Sequence, residues 1–419
     1  MADETNPRSL AEFPALLEPN SRIYVAGSSG EPTELLTALA AAKHIPESLH
    51  FIQFPLPGLN RMDFTALSET TEQTLFFMTP DQRSADPNRT HFVPIHMRRV
   101  IDFLMARPPD VALLQVCRGL DGQLRIAANV DFAQAVCTHS ATRVIALLNT
   151  TLPAPAGAPL LDPARVSDFV SAGAAGGAVP TLPSAQIDAT AAQIGALVAG
   201  LIRDGDCLQT GIGAIPAAVL GALGDKRQLG LHGGLIDDAM LQLIEAGVVT
   251  GERKSIDPKA HVAGMVLGNH ATFQTLARRP DVLLRGAEYT HEVGVISQID
   301  QFVSINSAVQ VDLLGQVNGE FAAGRQLSGT GGSVDFMRAA RSSRGGRSIV
   351  ALPATARGGS VSRIVTQVEM VTAARTDTDF VVTEYGIAEL RDRSLVERGR
   401  ALAAIAAPAF QAELLAGLG

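Results

Sequence analysis

The stretch DCLQTGIGAIPAAVLGAL, residues 206–223, decides the fold class of this chain. It begins as a short apolar run, turns at Gly211 and Gly213, and continues with apolar residues at helical spacing. RIYVAGSSGEPTELLTALAAA, residues 22–42, has the same order in the first half of the chain. A strand that leads through a glycine turn into a helix is the repeating unit of parallel sheets. The sequence therefore predicts an α/β fold.

Further strands and helices follow the same alternation. The first half contains the apolar runs SLHFIQFPLPG, TLFFMT, PDVALLQVC and TRVIALLNT, and a helical pattern over residues 97–106. Residues 394–415 close the chain as a predicted helix. Residues 150–184 are rich in Pro, Gly and Ala and interrupt the alternation. We therefore predict two open α/β domains, over residues 1–184 and 185–419, with mostly parallel sheets covered on both faces.

The composition argues against several classes of protein. The 419 residues carry a net charge of −8 and no Trp, which disfavours nucleic-acid binding and base-stacking platforms. Cys117, Cys137 and Cys207 lie far apart without metal-ligand spacing, so we expect free thiols and no metal site. The N-terminus lacks a signal-peptide pattern, and no apolar run reaches about 18 residues. We expect a cytoplasmic protein that binds neither membranes nor nucleic acid.

Two glycine-rich loops are candidates for ligand binding. Gly211 and Gly213 lie between a strand and a helix, where backbone N–H groups can face an anion. SGTGGSVDFMRAA, residues 328–340, contains Gly329, Gly331 and Gly332 before a probable helix, so its backbone can approach a ligand closely. Each loop also has a simpler interpretation, as a tight packing turn and as a flexible connector respectively.

Single polar residues near strand ends are weaker signals. INSAVQVDLLGQVNGE, residues 305–320, alternates like a β-hairpin with its turn at Gly315 or at Asn318-Gly319. Asn306 begins this pattern, where its amide can donate to a carbonyl oxygen or serve a structural role. His232 ends a strand-like run, and a lone histidine in such a place is more often hydrogen-bonded scaffold than a base. No Ser/His/Asp set follows from spacing alone.

Six segments together resemble the acetyl-CoA hydrolase/transferase family, a branch of the class I CoA-transferases. They occur in the family's order between residues 205 and 405: LQTGIGAIPAAV, LHGGLIDDAMLQLIEAGVVTG, INSAVQVDLLGQVNGE, GTGGSVDFMRAA, RSIVALPATA and DFVVTEYGIAELRDRSLVERGRAL. The first half matches mainly through VAGSSGEPTELLTAL.

The resemblance implies two related α/β domains with an acyl-CoA bound between them. It implies that CoA passes from an acyl-CoA to a small carboxylate, with no tightly bound cofactor, in a homodimer or higher homo-oligomer. By motif position, Gly331, Gly332 and Asn306 would stabilise the oxyanion of the tetrahedral intermediate. Gly211 and Gly213 match the glycines beneath the substrate. Family members use a glutamate nucleophile that forms a glutamyl-CoA thioester.

This chain departs from the family at the nucleophile. The usual His-Thr-Glu-Met pattern reads His232-Gly233-Gly234-Leu235 here, so Gly234 stands at the glutamate position. Another carboxylate can replace it; we favour Glu31 over four other candidates, Asp63, Glu69, Glu72 and Asp237.

Two alternatives need no protein carboxylate. The acceptor acid can attack the acyl-CoA directly, with Gly233 and Gly234 making room for substrate, or water can attack with help from His232 or a neighbouring acid. A non-catalytic acyl-CoA-binding protein is a further alternative. We favour transfer of CoA to a small organic acid.

Overall fold

The computed structural model describes residues 4–173, 177 and 179–417. The chain forms two compact units. The first comprises residues up to Leu182 together with Leu235–Asp238 and Val262–Thr290, and the second comprises the remaining segments from Pro183 onward. Two later segments thus group with the first unit, and the division at residue 184 stays a prediction.

The strands are short and are numbered here in chain order. They are β1 (Arg22–Val25), β2 (His50–Gln53), β3 (Glu72–Leu75), β4 (Thr90–Phe92), β5 (Val111–Arg118), β6 (Leu124–Ile126), β7 (Arg143–Asn149), β8 (Val166–Ser171), β9 (Cys207–Thr210), β10 (Gly230–Leu231), β11 (Leu235–Asp237), β12 (His261–Ala263), β13 (Met265–Leu267), β14 (Val282–Leu284), β15 (Phe302–Ser307), β16 (Gln310–Asp312), β17 (Val317–Asn318), β18 (Phe321–Ala322), β19 (Arg325–Gln326), β20 (Arg347–Ala351), β21 (Thr355–Ala356), β22 (Val361–Ser362), β23 (Ile364–Val365), β24 (Phe380–Thr383) and β25 (Gly386–Glu389).

The α-helices are numbered in the same way. They are α1 (Thr33–Ala40), α2 (Met97–Ala106), α3 (Ala133–Thr138), α4 (Ala189–Leu201), α5 (Ala214–Gly221), α6 (Asp238–Glu245), α7 (His270–Leu276), α8 (Ala287–Thr290), α9 (Val293–Ile296), α10 (Ser333–Ser342), α11 (Leu395–Ala404) and α12 (Pro408–Ala416). Short 3₁₀ helices occupy Phe13–Leu16, Ser28–Gly30, Phe64–Ala66, Pro80–Ser84 and Pro163–Arg165.

The first unit is built on a largely parallel sheet in the order β4-β3-β2-β1-β5-β7-β8, with β6 antiparallel to β5. Consecutive residues of β5 are buried from Val111 to Cys117, so both faces of the sheet are covered there. Its core contains apolar residues of α1, β1, β2, β5 and β7. The predicted α/β class is confirmed for this unit.

The second unit repeats this arrangement with the order β10-β9-β15-β20-β24-β25. All neighbours in it are parallel except β24 and β25, which form a hairpin. Helix α10 packs against β15 and β20, and α4 packs against α5. The chain therefore contains two mostly parallel sheets, as predicted. None of the described helices combines the length and hydropathy that a bilayer span requires.

Several local predictions are confirmed. The helix predicted over residues 97–106 is α2, and the strand predicted from residue 22 is β1. The predicted hairpin is the antiparallel pair β16 and β17, whose turn lies at Gly315. Gly315 has a φ of 90° and donates its N–H to the Asp312 carbonyl, a backbone conformation that favours glycine. All three cysteines are buried and free.

Three local features differ from what the sequence patterns indicate. Residues 150–184 were expected to interrupt the alternation of strands and helices, yet Val166–Ser171 forms β8 beside β7. The predicted closing helix is two helices, because Ala407 is extended before Pro408 and cannot continue α11. The glycine turn at 233–234 leads into β11, which pairs with β13, and α6 begins only after β11.

Candidate functional site

The carboxyl ends of three neighbouring strands in the second unit form the candidate site. Strand β9 lies between β10 and β15, and all three are parallel. Residues 232–234 follow β10, Gly211 follows β9, and Asn306 is the second-last residue of β15. Parallel strands bring such residues to one edge of a sheet, which is where ligands bind in open α/β folds. The edge therefore gathers three of the motifs that the sequence analysis selected.

The loop after β9 presents bare backbone at this edge. Gly213 has a φ of 124° and caps the N-terminus of α5, a conformation that L side chains rarely adopt. A β-carbon added at Gly211 or Gly213 would meet nothing within 4 Å. These two glycines are therefore not required for packing against the described protein, and the loop retains open space beside the first turn of the helix. This favours ligand binding over a tight packing turn.

Asn306 is held by a reciprocal amide pair. Its Nδ2 donates to Gln209 Oε1 at 3.1 Å, and Gln209 Nε2 donates back to Asn306 Oδ1 at 3.3 Å. Both residues are buried, and their strands are direct neighbours. A β-carbon at Gly233 would lie 3.4 Å from Gln209 Cγ, so the glycine backbone packs on the same pair. Each primary amide carries two N–H donors, which leaves Asn306 one beyond the bond to Gln209.

Gly234 faces a histidine that the sequence analysis did not select. A β-carbon at this residue would lie 3.3 Å from both Cε1 and Nε2 of His291. On another side of the same imidazole, a β-carbon at Gly332 would lie 2.4 Å from Cδ2 and 2.5 Å from Nε2. The His291 ring rests on Phe336, with ring centroids 4.5 Å apart. The imidazole is therefore enclosed by two glycine backbones and an aromatic ring.

The two histidines near this edge are both buried. His291 is 1% exposed, and burial lowers its pKa to about 3, so the ring is neutral at physiological pH. His232 is fully buried, and its ring meets Phe302 edge-on at a centroid distance of 6.4 Å. This placement favours a scaffold role for His232, and its assignment as a catalytic residue stays a prediction.

The second glycine loop, residues 329–332, leads into α10. Gly332 is the N-cap residue of that ten-residue helix, and in the described chain no side chain caps it. The first N–H groups of an α-helix have no partner within the helix and favour negative charge nearby. Since His291 touches the backbone of both Gly234 and Gly332, this helix end lies beside the glycine corner, which we define as residues 232–234.

Glu31 lies in the first unit, in a turn we call the glutamate corner, residues 27–31. Gln53 Nε2 and Asn60 Nδ2 each donate to its Oε2 at 2.9 Å, and Thr33 Oγ1 donates to Oε1 at 3.2 Å. The side chain is 3% exposed. Burial raises the pKa of Glu31 to about 7, although the three hydrogen bonds act to lower it. A perturbed, buried carboxyl at the end of β1 is a typical signal of a functional site.

The other candidate carboxylates also belong to the first unit, and two of the four have local roles. Asp63 caps a 3₁₀ helix by accepting from the N–H of Thr65, and Glu72 accepts from His91 Nε2 at 3.0 Å. Glu69 is exposed, and Asp237 ends β11. The described contacts therefore make Asp63 and Glu72 structural carboxylates. Among the described residues, no group of three or more His, Cys, Asp or Glu side chains could hold a metal ion.

Sequence reasoning missed His291 and Gln209. His291 is one of two residues between the four-residue helices α8 and α9, and no periodic pattern marks it. Gln209 lies in the quoted strand, one position before Thr210, but its pairing with Asn306 depends on the register of β9 and β15. Both roles arise from contacts between segments about 60 to 100 residues apart, which local patterns do not encode.

Known proteins are similar to this chain in sequence and architecture. A family model described as the acetyl-CoA hydrolase/transferase C-terminal domain matches residues 268–418. The 4-hydroxybutyrate coenzyme A transferase of Clostridium kluyveri is 34% identical over 406 residues, which cover 95% of this chain and 94% of that protein. The crystal structure of RipA from Yersinia pestis gives a TM-score of 0.89 at 28% identity, covering 98% and 96% of the two chains. The 4-hydroxybutyrate CoA-transferase of Porphyromonas gingivalis gives 0.80 at 29% identity, covering 97% and 95%.

Proposed function

Because this chain belongs to the acetyl-CoA hydrolase/transferase family, we propose that it moves CoA from an acyl-CoA to a small carboxylate by direct attack of the acceptor acid. The family that the six sequence segments indicated is confirmed by the relatives. Coenzyme A is then a substrate in thioester form. The observation that carries the proposal is Gly234, which offers no nucleophile at the glycine corner.

The chemistry balances without a protein nucleophile. An oxygen of the acceptor carboxylate attacks the thioester carbonyl carbon, and the carbonyl oxygen takes up the negative charge. The carbon–sulfur bond then breaks and leaves a mixed anhydride and the CoA thiolate. The thiolate attacks the acceptor-derived carbonyl, and the anhydride carbon–oxygen bond breaks. The products are a new acyl-CoA and the donor acid as its carboxylate, with no net change in protons or redox state.

The residues at this edge suit the two oxyanions that form. Asn306 is fixed by Gln209 and has a second N–H, while the first backbone N–H groups of α10 follow Gly331 and Gly332. Donors that are held in place before reaction stabilise developing charge more than donors that must reorganise. The enzyme would therefore contribute orientation of two substrates and an oxyanion hole.

The contacts of Glu31 support direct attack over a relocated nucleophile. Both carboxylate oxygens of Glu31 accept hydrogen bonds, and the side chain is nearly inaccessible. A nucleophile needs an accessible lone pair aimed at the carbonyl carbon. The neutral His291 beside the glycine corner has a pKa of about 3 and is a weak proton acceptor at pH 7, so it does not support hydrolysis.

A single-turnover labelling experiment tests the proposal. Excess protein is mixed with butyryl-CoA and with acetate in which both oxygens carry the heavy isotope. Direct attack leaves one heavy oxygen in the released butyrate and none in the protein, since the acceptor oxygen bridges the anhydride. A protein carboxylate nucleophile would instead carry the heavy oxygen itself, and peptide mass spectrometry would locate it. Trials with succinate and 4-hydroxybutyrate extend the acceptor range.

The remaining outcomes contradict the proposal in identifiable ways. A covalent CoA adduct after incubation with acyl-CoA alone would show that another carboxylate has taken over. Release of free CoA with oxygen from labelled water in the acid product would make the protein a hydrolase. Binding of acyl-CoA without any product would make it a non-catalytic binder.

The oligomeric state and the compartment stay predictions. We propose a cytoplasmic homodimer or higher homo-oligomer on the strength of the composition and the family. Light scattering on the purified protein tests the assembly, and a monomeric mass at the working concentration would contradict it.

A further inference from the structure

The space beside Gly234 is already occupied by protein. The direction in which a side chain would leave Gly234 points at the Cε1–Nε2 edge of His291, 3.3 Å from a β-carbon. Loss of a side chain at this position therefore does not open an equal volume for substrate. The imidazole fills part of that volume, and its own position is fixed by Phe336 and by the backbone of Gly332.

We propose that His291 sets the upper size limit of the acyl group, by filling the space that a side chain at residue 234 would enter. The inference rests on the proposed function, because it assumes that the acyl group reaches the edge formed by Asn306 and the start of α10. It assigns a specificity-determining role to a residue that sequence patterns did not select.

The surroundings of His291 fit a rigid wall. The ring is 1% exposed and packs on Phe336, which itself is 3% exposed and belongs to an apolar cluster with Phe302. A β-carbon at Gly332 would collide with the ring, so the ring has no freedom to move toward α10. Burial lowers its pKa, and the neutral ring is compatible with an adjoining apolar acyl chain. A wall of this kind discriminates by volume, typically about 10- to 200-fold per methylene.

Opposite changes in volume should shift acyl preference in opposite directions. His291→Ala removes the ring and should raise the ratio of kcat/KM for hexanoyl-CoA to that for acetyl-CoA by about 10-fold or more. Gly234→Ala adds a methyl group against the same edge and should lower that ratio. The double variant should fall between the two. His291→Asn offers a smaller, polar alternative if the alanine variant does not fold.

The control is His44→Ala, which removes an exposed histidine of the first unit and should leave the ratio unchanged. Uniform loss of activity for all acyl-CoA substrates in His291→Ala and His291→Asn would overturn the inference and reduce His291 to a packing residue. A rise of the ratio in Gly234→Ala, which is the direction expected for His291→Ala, would also overturn the inference.

The same assay separates this inference from the proposed function. The identity of the product, new acyl-CoA or free CoA, decides the proposed function in the wild-type protein. The dependence of the rate on acyl length decides the role of His291 and is measurable for either product. If the enzyme hydrolyses acyl-CoA and the kcat/KM ratio shifts as expected, the proposed function is wrong but the inference about His291 stands.

Discussion

The glutamate corner and the glycine corner are similar turns that present different chemical groups. Both follow a strand at the carboxyl edge of a largely parallel sheet. The first retains a buried carboxyl group held by three side chains, whereas the second has glycine at residues 233 and 234 and faces the imidazole of His291. The fold thus provides the position, and the neighbouring side chains decide whether charge, volume or open space is found there.

Their glycines also differ in purpose. A β-carbon at Gly27 would lie 2.0 Å from the carbonyl oxygen of Phe54, and one at Gly30 would lie 2.9 Å from Asn129 Cβ. These glycines are required because protein packs against them. Gly211 and Gly213, at the same edge as the glycine corner, would place a β-carbon in open space. Glycine motifs that look alike in sequence therefore separate into packing turns and exposed backbone.

The largest effect should come from Asn306→Ala, which tests whether the second edge is catalytic. We expect kcat to fall by about 100- to 1000-fold, with KM changed only a few-fold, because the donor acts mainly in the transition state. Gln209→Ala is the matched control: it breaks the amide pair but leaves the Asn306 donor, so its loss should be smaller. Equal losses in kcat and in acyl-CoA affinity would demote Asn306 to ground-state binding.

Glu31→Gln tests whether the carboxyl group in the glutamate corner is protonated in the folded protein. Its pKa of about 7 exceeds the ordinary value of 4.5, so folding favours the protonated form. The contribution of this carboxyl group to the free energy of unfolding is fully present below pH 4.5. It falls by up to roughly 3 kcal/mol as the pH rises to 7, and it stays lost above pH 7.

The free energy of unfolding of the glutamine variant should not decline in this way as the pH rises, since its amide is always neutral. Its oxygen can accept from Gln53 and Asn60 while its N–H₂ donates to Thr33. Urea unfolding of both proteins at pH 5 and pH 8 measures the difference. Parallel pH profiles for the two proteins would show that Glu31 is ionised throughout.

Gly332→Ala probes the enclosure of the imidazole beside the glycine corner. The added methyl group would lie 2.4 Å from His291 Cδ2, so the ring or α10 must move. We expect the free energy of unfolding to fall by about 2 kcal/mol. Gly200→Ala, in α4 with nothing within 4 Å of its β-carbon, should instead stabilise by about 0.5–1 kcal/mol. Equal effects would mean that the enclosure is loose.

Gly234→Ala should have the smallest effect. A contact at 3.3 Å requires His291 to shift by a few tenths of an ångström, so we expect a loss of stability below about 1 kcal/mol. Gly233→Ala makes an ordinary contact with Gln209 and serves as the neighbouring control. On a His291→Ala background the loss at Gly234 should vanish, and its persistence would show that another group limits this position.

The sequence predicted what depends on local periodicity. Helix α2, the strand-turn-helix at β9 and α5, and the hairpin turn at Gly315 follow from residues that are close together in the chain. Strand β8 was missed because Pro and Gly around it mask its apolar residues. Strand β11 was missed because its three residues form a strand only by pairing with β13.

The candidate site was predictable only in part. The Gly211 and Gly332 loops carry recognisable motifs, but the contact of Gly234 with His291 joins segments 57 positions apart. The hydrogen bonds to Glu31 likewise depend on Gln53 and Asn60, which reach it from β2 and from the loop beyond. Such environments are set by tertiary contacts, so spacing alone does not reveal them.

The chain enters and leaves the two units several times, and this limits how the gene can be divided. Gly234 is the last residue of the second unit before β11, and His291 is the first residue after the return from α8. A polypeptide that stops at residue 184 lacks Leu235, Met265 and Leu267, which bury Leu59 in one apolar cluster. The complementary fragment carries Leu235–Asp238 and Val262–Thr290 without the rest of the first unit. We expect co-expression of both fragments to yield more soluble material than either fragment alone, because this division splits the first unit between them.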